Sequence, residues 1–351
     1  MERKANWRMP AEWEEQWGVQ LTWPHEATDW REMLGEIEAT YVEMAIEIAK
    51  RERLIIVAPQ PEKVREQIAL KAGQQLADSI MMMACDTNDT WARDHGFISL
   101  MDEQGKIRLL DFKFNGWGEK FMADKDNAIN RQLFDQGMVK GEYLSHLDFV
   151  LEGGAIESDG KGVVMTTTHC LMAPHRNQPL TKDEIEQQLK ERLKATHVLW
   201  IDHGNLVGDD TDGHIDTLVR MAPNNTLLYI GPGEEGDEQY EELARMKQQL
   251  AQLTRPDGHH YRLIELPMPN AIYDEGERLP ATYANFLVMN GAVLCPTYGQ
   301  REKDELAMKL IAQAFPGREI VGIDCRSVIR QHGSLHCCTM QYYPNEAGTE
   351  E

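Results

Sequence analysis

The sequence predicts an α/β fold of repeated strand–strand–helix modules set around a centre, and three observations carry that expectation. Two-stranded patterns begin at Gly96, Ala155, His214 and Tyr283, at intervals of 59, 59 and 69 residues. A helical pattern follows each of them. The polar residues that look misplaced in apolar surroundings collect at the openings of these modules. Only the order of elements recurs, not residue identity, as in a structural repeat whose units pack against their neighbours.

The elements follow in order. Residues 1–28, rich in Trp and Pro, read as an irregular packed arm. An acidic amphipathic helix is expected over 29–51, then a strand at 54–57 and a helix over 61–76 whose proline suits a first helical turn. Segments 96–112, 155–167, 214–230 and 283–297 each hold two β-type runs, turning at Gln-Gly, Asp-Gly-Lys-Gly, Pro-Asn-Asn and Asn-Gly, the last a strong hairpin signal. Helices are expected near 126–136, 181–195, 237–253 and 303–314. A strand near 319–323 precedes a last strand-like stretch, 335–343, and a polar tail, 345–351. No linker or charge block divides the chain, so 1–351 reads as one catalytic domain.

Composition narrows the function classes. There are 36 basic and 58 acidic residues, a net charge of −22, which disfavours nucleic acid and anionic membranes and favours small cationic ligands. The N-terminus lacks the apolar core of a signal peptide, and no apolar run is long enough to span a membrane. The six cysteines show no CxxC pairing, so free thiols in the cytoplasm are the expectation.

The module openings hold the chemistry: Asp94 in NDTWARDHG, Glu152 in LEGGAIE, His214 and Asp216 in DGHIDT, and Cys337 in HGSLHCCTMQ. Strand alternation would place His214 and Asp216 on one face and Cys337 and Cys338 on opposite faces, so at most one cysteine faces the centre. If the modules surround an axis, a thiol, an imidazole and three carboxylates meet there. That set suits a guanidinium, a planar cation whose central carbon resists neutral attackers. Carboxylates can grip its nitrogens through charge-assisted bonds while a thiolate attacks the carbon and a histidine moves the protons. No metal or organic cofactor is required.

RMPAEWEEQWGVQLTWPH, NDTWARDHG, LEGGAIESDG, GDDTDGHIDT and GSLHCCTMQYYP together, from Arg8 to about Pro344, resemble the agmatine deiminase family, which includes the Porphyromonas-type peptidylarginine deiminase-like proteins. The resemblance implies the pentein fold, a pseudo-fivefold α/β propeller with its active site on the axis. It implies Cys337 as nucleophile, His214 as acid–base residue, Asp94 and Asp216 as guanidinium clamps, and Glu152 as the carboxylate supporting His214. It also implies that Trp91 and Trp23 line the pocket mouth, that Asp210 meets the distal amine of agmatine, and that His336 is structural. Members of this fold often pair, so a homodimer is compatible with it. Departures occur beside the chemistry: RQHGSLHC where many members read GGGNIHC, RDHGF for RDxGP, and HIDT for HVDN.

The expected reaction is deimination of agmatine to N-carbamoylputrescine and ammonia, in putrescine synthesis. The nearest rival takes free or peptidyl arginine, whose α-carboxylate would want Arg93, Arg220 or Arg330 in the pocket. Two further classes are weaker: a metal hydrolase built on His332, His336, Cys337, Cys338 and His214, and a non-catalytic polyamine-binding protein.

Overall fold

A computed structural model describes residues 6–345, so the first five residues and almost all of the polar tail lie outside the described residues. Five sheets share one wiring: an antiparallel pair, a hairpin in four of them, then a helix, then a third strand parallel to the second. In the first, Ile98–Met101 pairs antiparallel with Ile107–Lys113, which pairs parallel with Glu142–Val150. The same order runs through Glu157–Ser158, Val163–Thr167 and His197–Ile201, and through Val219–Ala222, Thr226–Ile230 and Arg262–Leu266. Leu287–Met289, Ala292–Thr297 and Glu319–Asp324 repeat it.

The parallel pair explains the helix in each unit, because parallel neighbours can be joined only by a long crossover. The crossover Lys182–Leu193 starts with a capping box between Thr181 and Glu184 and buries Ile185, Leu189 and Leu193 along one stripe. Arg301–Ala314 buries Ala307, Ile311 and Ala314 in the same way. Burial of these stripes against the sheets supplies the apolar core.

The fifth sheet is assembled from both ends of the chain. Thr339–Tyr342 pairs antiparallel with Gly18–Thr22, which pairs parallel with Arg53–Ala58 across the helix Leu34–Ala49. Met81–Ala84 adds a fourth strand. The expectation of an irregular arm over 1–28 is therefore corrected. Gly18–Thr22 is flanked by strands on both sides and buried along its whole length, and its short Val-Gln-Leu-Thr alternation stands without a hairpin partner nearby in the sequence. Two helix expectations also change. The first helix opens with a separate 3₁₀ turn, Arg31–Met33. The second stops at Ala72, because Gly73 takes φ +91°, and Gln74–Ser79 forms a separate helix.

A short turn precedes the first strand of each sheet, and these turns form a closed ring. Ala92–His95 packs against Gly153–Ala155, which packs against Ile215–Thr217. The carbonyl of Asp216 then accepts from Asn285 Nδ2 at 3.4 Å. Asn285 Oδ1 accepts from the backbone N–H of His336 at 2.9 Å, in the turn His336–Cys338, which returns to Ala92–His95.

Candidate active site

The ring delivers all five predicted chemical residues to one buried place, but from turns rather than strands. His214 and Asp216 lie at a 3₁₀ turn before Val219–Ala222, and Cys337 lies in a 3₁₀ turn before Thr339–Tyr342. The alternation expected for His214/Asp216 and for Cys337/Cys338 therefore has no strand to act on. Cys338 is nonetheless fully buried, its thiol donating to the Ser334 carbonyl at 3.4 Å.

Asp94 accepts from the Trp117 indole at 2.9 Å and from Gly154 N–H at 3.1 Å, and its Oδ1 lies 3.6 Å from His214 Nδ1. Gly154 allows this approach, since a Cβ there would sit 2.5 Å from His214 Nδ1. Burial, then the charges of Asp216 and Glu152 against the opposing pull of His214, pushes the Asp94 carboxyl up to about 6. Burial works against charge on His214, yet Asp94, Cys170 and Glu152 outweigh it and hold its pKa well above the ordinary value. Asp216 Oδ2 accepts from His336 Nδ1 at 2.7 Å, which holds Asp216 below the usual carboxylate range despite its burial. The Cys337 thiol donates to Asn285 Oδ1 at 3.4 Å, and burial followed by the charges of Asp216 and Asp94 raises its pKa well above 9.

Among the described residues, both ring nitrogens of His214, Asp216 Oδ1 and Glu152 Oε2 are buried without a hydrogen-bond partner. Polar groups so placed normally find one, and Asp94, 3.6 Å from His214, lines a pocket beside them. It is lined by Asp29, Asp89, Asp94, Asp210, Trp91, Trp117 and Cys337 among others, and no lysine or arginine is among the lining residues described. Trp91 and Asp210 both line this pocket. Trp23 does not: it packs edge-on against Tyr41 at 5.5 Å and lines a separate cavity with Pro24 and His25. Its neighbouring strand turns it inward, and Trp117 takes the expected second place on the pocket wall.

The three arginines considered for an arginine carboxylate are engaged elsewhere. Arg220 bonds Glu12 and Glu157, each at 2.6 Å, Arg330 pairs with Asp274 at 2.8 Å, and Arg93 turns toward the His336 carbonyl and Met340. His336 sits between Asp216 and Glu12, a framework position.

Four residues escaped the sequence reading. Asn285 holds the Cys337 turn, and it occupies the opening of the Tyr283 module, the one opening left without a candidate. Arg176, fully buried, bonds Glu152 at 2.7 Å, Asp212 at 2.7 Å and the Thr211 carbonyl at 2.9 Å. Trp117 anchors Asp94, and Cys170 stands beside His214. Glu152, Cys170 and His214 offer donor atoms all within 4.8 Å of one another. Nothing local marks Arg176, Trp117 or Cys170 in the sequence.

A ring of five such modules closing on a buried thiol, imidazole and carboxylates is the pentein architecture of guanidino-group-modifying hydrolases. The chain belongs to the Porphyromonas-type peptidyl-arginine deiminase family, whose model matches residues 8–343. A Marinomonas protein named "putative agmatine deiminase" is 31% identical, covering 97% of this chain and 95% of its own. The crystal structure of a "putative arginine deiminase" from Porphyromonas gingivalis is 48% identical at TM-score 0.90, covering 97% of this chain and 99% of that one. A cysteine-to-serine variant of C. jejuni agmatine deiminase with substrate bound is 36% identical at TM-score 0.89, covering 98% of each chain.

Proposed function

We propose that the chain hydrolyses agmatine to N-carbamoylputrescine and ammonia through a covalent thiouronium on Cys337, a step toward putrescine. The observation that carries the choice of substrate is the pocket wall: Asp29, Asp89 and Asp210 stand with Asp94 and Cys337, and no lysine or arginine is among the described lining residues. Lys120, which reaches the Asp210 carbonyl from outside that lining, is paired with Asp212. Such a wall suits a ligand cationic at both ends and opposes an α-carboxylate.

In this reading Asp94 and Asp216 grip the guanidinium nitrogens and place its carbon over the thiol. The incoming cation offsets the charges that keep the thiol protonated, so substrate binding itself favours the thiolate. The thiolate forms an S–C bond, His214 gives its proton to one nitrogen, and the C–N bond breaks to release ammonia. Water then adds to the thiouronium carbon, its proton passing to His214, and the C–S bond breaks to return the thiolate. Glu152 keeps His214 charged, and Asp210 receives the distal amine. Trp91 and Trp117 flank the alkyl chain.

Arginine is the second reading, favoured by the name of the P. gingivalis relative and opposed by the acidic wall. The test compares ammonia release from agmatine, arginine and a blocked arginine peptide, with Cys337→Ser as control. The expected result is the highest kcat/KM for agmatine and none in the variant. A higher kcat/KM for either arginine substrate would replace the substrate and keep the chemistry.

A further inference from the structure

We propose that the active site also binds a borderline-soft divalent cation of the zinc type, through Glu152, Cys170 and His214, and that this cation inhibits turnover. The proposal rests on the deiminase reading only for that inhibition, since the donor set stands by itself. A carboxylate oxygen, a thiol sulfur and an imidazole nitrogen lie within 4.8 Å of one another, all fully buried. In a tetrahedral zinc site, ligands bound at roughly 2.0–2.3 Å stand roughly 3.4–3.7 Å apart, so a contraction of about 1 Å completes the site. Sulfur, nitrogen and oxygen together suit zinc or cobalt, whereas calcium and magnesium want oxygen cages.

Three features point to a ligand at this place. Glu152 Oε2 and both His214 nitrogens have no partner among the described residues, although they are buried. The donors are anchored nearby: Arg176 fixes the other oxygen of Glu152, and the backbone of His214 is held where Thr211 Oγ1 accepts from its N–H at 3.0 Å. Thr167 Oγ1 accepts from Cys170 N–H at 3.2 Å while donating to the Gly213 carbonyl at 2.6 Å, so Cys170 is tied to the residue preceding His214. The Arg176 contact is of the kind that orients a ligand toward a metal, and the two backbone contacts fix where the other donors start. The neighbouring pocket, which Asp94 lines from beside His214, is walled by Asp29, Asp89 and Asp210, and such a wall attracts cations.

The thiol binds as thiolate and the imidazole as its neutral ring, so protons they carry leave to solvent when the metal enters. No electron is transferred, and binding is reversible by chelation. With His214 and Glu152 occupied, the proton donor and its support are withdrawn from the guanidinium. The second thiol of the site, which deimination does not use, acquires a role: the metal chooses Cys170 rather than the nucleophile.

The experiment titrates cobalt(II) into the wild-type chain, Cys337→Ala and Cys170→Ala, reading the thiolate-to-cobalt charge-transfer band. One band per chain is expected in the wild type and in Cys337→Ala, and none in Cys170→Ala. Glu152→Gln, expected to weaken the band's affinity at least tenfold, keeps the test open if Cys170→Ala does not fold. Zinc is expected to lower kcat for agmatine with little change in KM, and Cys170→Ala to need at least tenfold more zinc for half-inhibition. A band that survives in Cys170→Ala and vanishes in Cys337→Ala overturns the assignment, as does no band in the wild type. Agmatine turnover without metal is measured separately, so a band in a chain that releases no ammonia condemns the deiminase reading and leaves the metal site standing.

Discussion

The two sides of the ring hold buried charge in opposite ways. On the side away from the pocket, Arg220 bridges Glu12 and Glu157, and His336 joins Glu12 to Asp216. On the pocket side, Glu152 and Asp216 each spend one oxygen on the framework and leave the other open, and His214 has no hydrogen-bonded partner at either nitrogen. Each side removes several charges from water, which costs several kcal/mol per ion unless partners are supplied. The paired side supplies them from the chain. The pocket side leaves part of that task to whatever enters, and this is how a fold reserves binding energy for a ligand. Asp216 belongs to both sides, so the framework holds the clamp in place.

Exchanging roles across the ring tests the comparison. The largest effect is expected from Cys337→Ser, with kcat falling on the order of 10⁴-fold or more and the unfolding midpoint little changed. Stability falling in parallel with kcat would make Cys337 part of the framework. Next, Arg220→Met is expected to cost about 3–5 kcal/mol in denaturant unfolding, because it strands Glu12 and Glu157 in the interior. Asp94→Asn is its counterpart on the pocket side. It is expected to lower kcat/KM by several kcal/mol of transition-state binding while stability holds or rises by about 1 kcal/mol. The sign follows from a carboxyl raised to about 6: at neutral pH the folded state carries a charge it disfavours, and the amide removes it. If Asp94→Asn and Arg220→Met destabilise equally, the two sides are one framework and the distinction fails.

What could be read from the sequence divides along a similar line. Asp94, Glu152, His214, Asp216 and Cys337 were legible because each sits in a compact motif at a module opening, and the module rhythm announced that openings converge. The hairpins were legible through their turn residues. The strand Gly18–Thr22 was not, because its partners are Arg53–Ala58 and the far C-terminal strand, and no turn signal beside its short alternating run marks a hairpin. Arg176 and Asn285 escaped for a related reason. Arg176 reaches Glu152 across 24 residues and Asn285 reaches Cys337 across 52, so their meaning exists only once the ring has closed. The reading of His214 and Asp216 as strand neighbours reached the right face by a wrong route, since a 3₁₀ turn aims them.

The smallest expected effect sharpens the comparison at a residue that joins the two kinds of pairing. Arg176 is buried framework by its three bonds, yet its first partner is Glu152, whose second oxygen is left without a partner. Its other partners, Asp212 and the Thr211 carbonyl, belong to the loop that carries Asp210, so one guanidinium ties the depth of the pocket to its mouth. Arg176→Lys keeps the charge but loses the planar fork, and so meets at most part of this set. If Arg176 serves only the framework, the variant loses stability and its kinetic constants hold. If it positions Glu152 and the mouth together, kcat falls roughly tenfold and KM for agmatine rises with it, while arginine turnover shows no KM change of its own. A tenfold effect is modest beside Cys337→Ser, but it decides whether the fixed half of Glu152 exists to aim the open half.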